Sequence, residues 1–279
     1  VGTGSTNTIA YSYDGITWTG VGKIIITGTA YGVSWNGTIW LVTGTGGNII
    51  AYSYDGITWA GTSMNIFTTG RGVAWNGNIW VAVGASGTNT IAYSNNGITG
   101  WSGASGTNLL STQANGVAWN GTKWVAVGKG ATGTNSIVYS TNGVTGWVGA
   151  TGVIGYVEGR GVCWNGTRWV AVGQGTGASG NTGAYVPSGT SISYSQDGIQ
   201  WYAGRMNSGG SGTTGIFLTG GNGVAGNPRI GATVVDSQLV LNQNGYGLNN
   251  KLDIVSDSYF NNGYTNFAVS VTSRNLPPC

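Results

Sequence analysis

Apolar and polar residues alternate along most of this chain in short runs, and the runs recur. In Val73-Ala74-Trp75-Asn76-Gly77-Asn78-Ile79-Trp80-Val81-Ala82-Val83 an Asn-Gly pair is flanked by strand-like alternation. Asn-Gly favours the type I′ turn of a two-residue β-hairpin, which sets Trp75 opposite Asn78 and Val73 opposite Trp80. Val73, Trp75 and Trp80 then share one sheet face, and Ala74, Val81 and Val83 take the other. Both faces are apolar, so this hairpin should be covered on both sides. A second hairpin follows: Thr90-Ile91-Ala92-Tyr93-Ser94, a turn at Asn95-Asn96-Gly97, then Ile98 onward to Trp101. No Gly-free segment shows a helical period over about ten residues, so helix is not expected.

Both hairpins repeat in tandem. Gly-Val-x-Trp-Asn-Gly occurs at Gly32–Gly37, Gly72–Gly77 and Gly116–Gly121, and in register at Gly161–Gly166. Its Trp residues (Trp35, Trp75, Trp119, Trp164) are spaced by 40, 44 and 45, and each is followed five residues later by another, at Trp40, Trp80, Trp124 and Trp169. Tyr-Ser-x-Asp/Asn-Gly marks the second hairpin at Tyr11, Tyr52, Tyr93, Tyr139 and Tyr194, ending on Trp18, Trp59, Trp101, Trp147 and Trp201. These positions account for all 13 Trp in the chain. A Trp placed by a repeat is expected to be core or inter-repeat packing. Four short strands per unit of this length is the period of a β-propeller blade. The expected fold is therefore all-β, a β-propeller of four-stranded blades, six favoured and five allowed, with the last blade diverged. An open superhelical stack of the same hairpins is the alternative.

The ends differ from the middle. Val1-Gly2 parallels Val83-Gly84, so the repeat region, residues 1–205, begins halfway through a unit. Residues 173–191 carry an insertion rich in Gly, Ser and Thr. Residues 206–279 read as a diverged closing blade or a C-terminal β attachment element. Gly223–Asn227 echoes the first hairpin, Asp257–Phe267 echoes the second, and Phe267–Thr272 is the expected closing strand, since an open end leaves unpaired strand edges.

Composition narrows the chemistry. There is no His, which excludes a Ser-His-Asp triad, a Cys-His dyad and a His-ligated zinc site. Two Cys cannot build a disulfide framework or a four-thiolate site. Cys163 reads as a buried thiol; Cys279 is an idle end or an inter-chain cross-link. Net charge is +3, but the basic residues are scattered, and nucleic-acid binding needs them clustered. No apolar run is long enough to span a membrane, and no secretory signal or starting Met is evident. No cofactor and no metal are expected. The Asp residues at the second turn (Asp14, Asp55, Asp197, with Asn96 and Asn142 in the other copies) each offer one carboxylate, whereas calcium collects several oxygens.

The sharpest candidate site is the variable residue four before the first Trp of each unit: Tyr31, Arg71, Asn115, Arg160 and, by the weaker echo, Asn222. In a propeller these converge at one end of the innermost strands, with Glu158 beside Arg160. Such a ring could hold a sugar or an acidic group through Arg71 and Arg160; a rim of solvated loop residues is the plainer reading. Glycoside hydrolysis needs two suitably spaced carboxylates, or a Tyr nucleophile backed by one. With the turn Asp residues set aside, Glu158, Asp236, Asp253 and Asp257 remain, and catalysis is not expected. Asn36, Asn120 and Asn165 lie in Asn-Gly-Thr sequons that the hairpin turn also explains.

Ser12-Tyr13-Asp14-Gly15-Ile16-Thr17-Trp18 resembles the Asp-box of sialidase-type (BNR) propellers, with one residue fewer between Asp and Gly. The likeness covers about residues 1–205. It is specific for repeated β-hairpins and weak for any activity, because Asp-boxes in that family are structural and lie away from the catalytic centre; no Arg triad like that of sialidases is evident. The whole unit also resembles Trp-Asn-Gly-x-x-Trp-Val-Ala-Val-Gly repeat proteins of large DNA viruses and bacteria. That resemblance implies a non-enzymatic exterior structural or attachment protein at a virion surface, fibre or capsid, outside the cell. Its partners would be a host glycan, other capsid or fibre proteins, or a second copy of the chain, with no nucleic acid and no membrane insertion. A carbohydrate-binding lectin is the alternative, and a sialidase-like glycosidase a remote one.

Overall fold

The computed structural model describes residues 1–85, 87–130, 135–152, 156–175, 191–204, 224, 232–235 and 238–241. Among them the regular structure is β-strand, with a single 3-10 turn at Thr107–Leu110. No helix among the described residues is long and apolar enough to cross a membrane. The chain divides into two units, Val1–Pro228 and Arg229–Cys279.

The first unit opens with a two-stranded half-blade, β1 (Ile9–Tyr11) and β2 (Thr19–Gly22). The first complete blade is β3 (Ala30–Trp35), β4 (Trp40–Gly44), β5 (Ile50–Ser53) and β6 (Ala60–Gly61). The second is β7 (Thr69–Trp75), β8 (Trp80–Ala85), β9 (Ile91–Ser94) and β10 (Ser102–Gly103). The third is β11 (Gln113–Trp119), β12 (Trp124–Lys129), β13 (Ile137–Ser140) and β14 (Val148–Gly149). A short strand β15 (Thr151–Gly152) then runs parallel to the outermost strand of the fourth blade. That blade is β16 (Tyr156–Trp164), β17 (Trp169–Gly175), β18 (Ile192–Ser195) and β19 (Gln200–Ala203). Within each blade neighbouring strands pair antiparallel in chain order. The second unit holds one antiparallel hairpin, β20 (Ala232–Val235) with β21 (Gln238–Leu241).

The fold is thus all-β and propeller-like, built of four-stranded blades that begin halfway through a unit. The described residues hold four such blades and the half-blade. The expected last-blade echo at Gly223–Asn227 except Val224, the echo at Asp257–Phe267, the closing strand at Phe267–Thr272, and most of the insertion after Gly173 lie outside the described residues.

One expectation needs correction. The Asn-Gly pair does not form a two-residue turn; Trp75 pairs directly with Trp80, and Trp35 with Trp40, Trp119 with Trp124 and Trp164 with Trp169. The cause is the Asn side chain. Asn76 Oδ1 accepts the backbone N–H of Asn78 at 2.9 Å and of Ile79 at 2.7 Å, which stabilises a four-residue loop. The paired indoles lie tilted, with centroids 4.9–5.4 Å apart. The register moves by two residues, so the face assignment survives: Val73, Trp75 and Trp80 still share a face.

The second and third blades are buried on both faces, as expected, whereas Val33 of the first is 45% exposed. Val73, Trp80 and Ala82 pack toward the first blade with Ile39 and Leu41, while Val81 and Val83 pack toward the third with Ala114, Trp124 and Ala126. Trp80, Trp124, Trp169 and Trp201 are fully buried. Removing an indole from water contributes about 4–6 kcal/mol as an upper bound. Trp18 of the half-blade is 62% exposed where its counterparts Trp147 and Trp201 are 3% and 0% exposed. The innermost strands β3, β7, β11 and β16 adjoin through glycine: a Cβ on Gly32 would lie 3.1 Å from Gly72 Cα, and one on Gly116 would lie 3.4 Å from Gly161 Cα. Gly at these repeat positions lets successive innermost strands approach backbone to backbone.

Candidate functional site

The four variable residues occupy one structural position. In every innermost strand the antiparallel register slips by one residue: between Ala30 and Gly32, Gly70 and Gly72, Ala114 and Gly116, and Gly159 and Gly161. The bulged residues are Tyr31, Arg71, Asn115 and Arg160. A β-bulge bends the strand and re-aims its side chain. Because the adjacent glycines bring successive strands together, the re-aimed side chains meet across blades.

They form a polar arc. The Arg71 guanidinium lies over the Tyr31 ring, 5.5 Å from its centroid, and its Nη2 donates to Gln113 Oε1 at 3.2 Å. Gln113 Nε2 donates to Glu158 Oε1 at 2.6 Å. Asn115 Nδ2 donates to the same carboxylate oxygen at 2.9 Å and to Gly159 O at 2.7 Å. Arg160 Nη2 donates to Gln174 Oε1 at 3.0 Å, and Gln174 is the cross-strand partner of Glu158. Tyr31 is 46% exposed; Arg71, Gln113, Asn115, Glu158 and Arg160 are half-buried. Arg71 Nε and Asn115 Oδ1 are buried with no partner among the described residues. All five residues singled out from sequence therefore fall in one patch, although Arg71 and Arg160 engage different glutamines. Asn222 lies outside the described residues.

Gln113 and Gln174 were missed. Gln113 had a signal: it stands two residues before the bulge, where the other units carry Thr29, Thr69 and Glu158, so each unit offers two variable positions on one face of its innermost strand. Gln174 had none, since it enters only through its pairing with Glu158.

The Asp turns lie at the other end of the blades. An innermost strand runs from the bulge to the Asn-Gly loop, the next returns, and the third runs forward again to the Asp turn. The turn carboxylates are consumed locally. Asp55 Oδ1 accepts N–H bonds from Ile57 at 2.8 Å and Thr58 at 2.7 Å and the Ser53 hydroxyl at 2.9 Å. The Thr58 and Ile57 N–H groups and Ser53 hold Asp55 down at about 2, and Thr17, Ile16 and Ser12 do the same to Asp14. Burial opposes this at Asp197, but the N–H groups of Gln200 and Ile199 with the Ser195 hydroxyl outweigh it and its pKa is lowered. Asn96 and Asn142 accept the equivalent N–H bonds. Among the described residues Glu158 is thus the one carboxylate at the arc end, and no three His, Cys, Asp or Glu residues cluster as a metal site would require. Asp236, Asp253 and Asp257 lie outside the described residues. Cys163 is buried, as expected, and burial pushes its thiol pKa up.

No protein family matches the chain, and no curated protein does. Among solved structures it is similar to a GH74 enzyme of Niastella koreensis, with 16% identity and a TM-score of 0.44, over 64% of this chain and 25% of that one. It is also similar to a GH74 xyloglucanase of Xanthomonas campestris, with 12% identity and a TM-score of 0.31, over 74% of this chain and 35% of that one. The chain thus spans about a quarter to a third of the length of these structures. The expectation of a non-enzymatic protein is corrected here, because both are enzymes. At these identities the likeness carries over no reaction and no catalytic residue. Neither structure is a virion component, so the virion role gains no support from them.

Proposed function

We propose that this chain is an exterior carbohydrate-binding β-propeller repeat protein of Asp-box type, and that the polar arc is its ligand site. The carrying observation is the set of bulged residues. Framework residues recur from unit to unit, while the bulge position changes between Tyr, Arg and Asn; Arg71 and Asn115 share one hydrogen-bonded network with Gln113 and Glu158, Tyr31 lies under Arg71, and Arg160 reaches the cross-strand partner of Glu158. A sugar face suits such a patch: Tyr31 supplies an exposed ring for stacking, the guanidiniums and amides supply donors, and Glu158 supplies an acceptor. The ligand class is a glycan with several hydroxyl groups, of host or environmental origin.

The test is a glycan array with the full chain, followed by calorimetric titration of any ligand found. Arg71→Ala and Glu158→Ala should each weaken binding roughly 10- to 150-fold, the equivalent of losing a charged hydrogen bond. Asp55→Asn, at the opposite blade end, should leave affinity unchanged. Absence of binding to every glycan at millimolar concentration would overturn the reading, as would binding indifferent to both arc substitutions.

A second reading, a structural or attachment module, is favoured by the half-blade, where Tyr13, Ile16, Trp18 and Ile24 are 89%, 85%, 62% and 81% exposed. Assembly through that surface predicts that Ile16→Ser with Trp18→Ser abolishes any self-association seen by sedimentation. Placement at a virion surface draws on the sequence resemblance alone.

A further inference from the structure

We infer that Asn36, Asn120 and Asn165 are acceptor sites for N-linked glycosylation, carrying their glycans at the blade end opposite the polar arc. Each begins an Asn-Gly-Thr triplet, whereas the equivalent Asn76 is followed by Gly77 and Asn78 and lacks the hydroxyl at the third position. The loop geometry leaves the reacting atom free. Asn36 Oδ1 accepts the N–H of Thr38 at 2.9 Å and of Ile39 at 2.7 Å. Asn120 Oδ1 accepts those of Thr122 at 3.0 Å and Lys123 at 2.7 Å, and Asn165 Oδ1 those of Thr167 at 3.0 Å and Arg168 at 2.8 Å. A backbone bond from each Asn N–H to the carbonyl of Ile39, Lys123 or Arg168 closes the loop as well, so the side chain contributes only its oxygen. The three Nδ2 atoms make no hydrogen bond to any described residue, so exchanging one of their hydrogens for a sugar breaks nothing in the turn.

The surroundings are open. Gly37, Thr38, Gly121, Thr122, Gly166 and Thr167 are exposed, and a Cβ built on Gly37 or Gly121 would meet nothing within 4 Å. The loop also lies away from the arc. Asn36 follows Tyr31 by five residue steps, about 16 Å of extended chain. A glycan there leaves Tyr31, Arg71 and Glu158 uncovered, and the inference does not depend on what the arc binds.

The step is a substitution at the anomeric carbon of an oligosaccharide carried on a polyprenyl pyrophosphate. Nδ2 forms the new C–N bond, the C–O bond to the pyrophosphate breaks, the polyprenyl pyrophosphate leaves with the electron pair, and one Nδ2 proton passes to a base. Nothing is oxidised or reduced.

The experiment expresses the full chain behind a secretion leader in a eukaryotic host, with a C-terminal tag bearing a known occupied sequon. Intact mass is read before and after enzymatic glycan removal. The expected result is glycan on Asn36, Asn120 and Asn165 and none on Asn76. Thr38→Ala, Thr122→Ala and Thr167→Ala should each delete one glycan, and Asn78→Thr should add one at Asn76. The Tm of the glycosylated chain should match that of the deglycosylated chain within a few degrees. Two results would overturn the inference: secreted chain bearing glycan on the tag but none on the three Asn, or secretion only when the three Thr are replaced, which would mean that glycans there are incompatible with the fold.

Discussion

Gly56 and Gly143 hold the same place in the second turn of their blades, and both have φ of +76°. Ala at either position must adopt left-handed backbone, at a cost of about 1–2 kcal/mol. Their surroundings differ. A Cβ on Gly56 would lie 3.6 Å from Trp40 Nε1, an ordinary contact, whereas one on Gly143 would lie 2.7 Å from Trp124 Nε1 and 3.0 Å from Val81 Cγ2. Trp124 and Val81 are fully buried, so neither can swing aside. Overpacking at such a site adds about 1–3 kcal/mol. Gly56→Ala should therefore destabilise by about 1–2 kcal/mol and Gly143→Ala by about 2–5 kcal/mol. Urea unfolding followed by Trp fluorescence measures both, with midpoints compared at constant slope. Equal costs, or a larger cost at Gly56, would refute the argument that the turn glycine exists to roof an immobile indole.

Three further outcomes follow from the turns and the core. Asp55 titrates at about 2 when folded, below its ordinary value of 3.8; its stabilising effect is full above that ordinary value and is lost as pH falls through the folded one. The Tm advantage of wild type over Asp55→Asn, measured by calorimetry, should accordingly narrow as pH drops from about 5 to about 2, and a gap that widens contradicts the assigned bonds. Ser94 is fully buried, donates to Thr99 O at 2.6 Å and accepts the Gly97 N–H at 3.0 Å. Ser94→Ala should cost about 1–3 kcal/mol and speed hydrogen exchange at Gly97; unchanged exchange would show that the hydroxyl does not hold the turn. Trp169→Ala should cost about 3–5 kcal/mol and remove one exciton contribution from the far-UV circular dichroism, since Trp164 and Trp169 have centroids 5.4 Å apart; an intact spectrum would place the pair elsewhere.

The candidate site was half legible. The variable residues stood out because everything around them repeats, and Glu158 was placed beside Arg160. That all four sit on bulges was not legible, because a bulge is a property of the pairing between two strands and leaves no composition signal in one. Gln113 escaped because its significance rests on Arg71 and Glu158 reaching it from different blades. The separation of the Asp turns from the arc became certain only with the strand directions in place.

Local chemistry along the chain was enough for the period, the β character, and the division of Val73, Trp75 and Trp80 from Ala74, Val81 and Val83. These depend on side-chain alternation and turn preference, which act over a few residues. Register depended instead on whether the backbone or the Asn76 oxygen satisfied the loop N–H groups, and the error of two residues was invisible to a face assignment with a period of two. Tertiary structure alone decided that Arg71, Gln113, Asn115 and Glu158 share one network, since that requires innermost strands close enough to touch. It likewise decided that Trp18 stays exposed while Trp201 is buried, because burial depends on what a neighbouring blade presents, which identical motifs cannot encode.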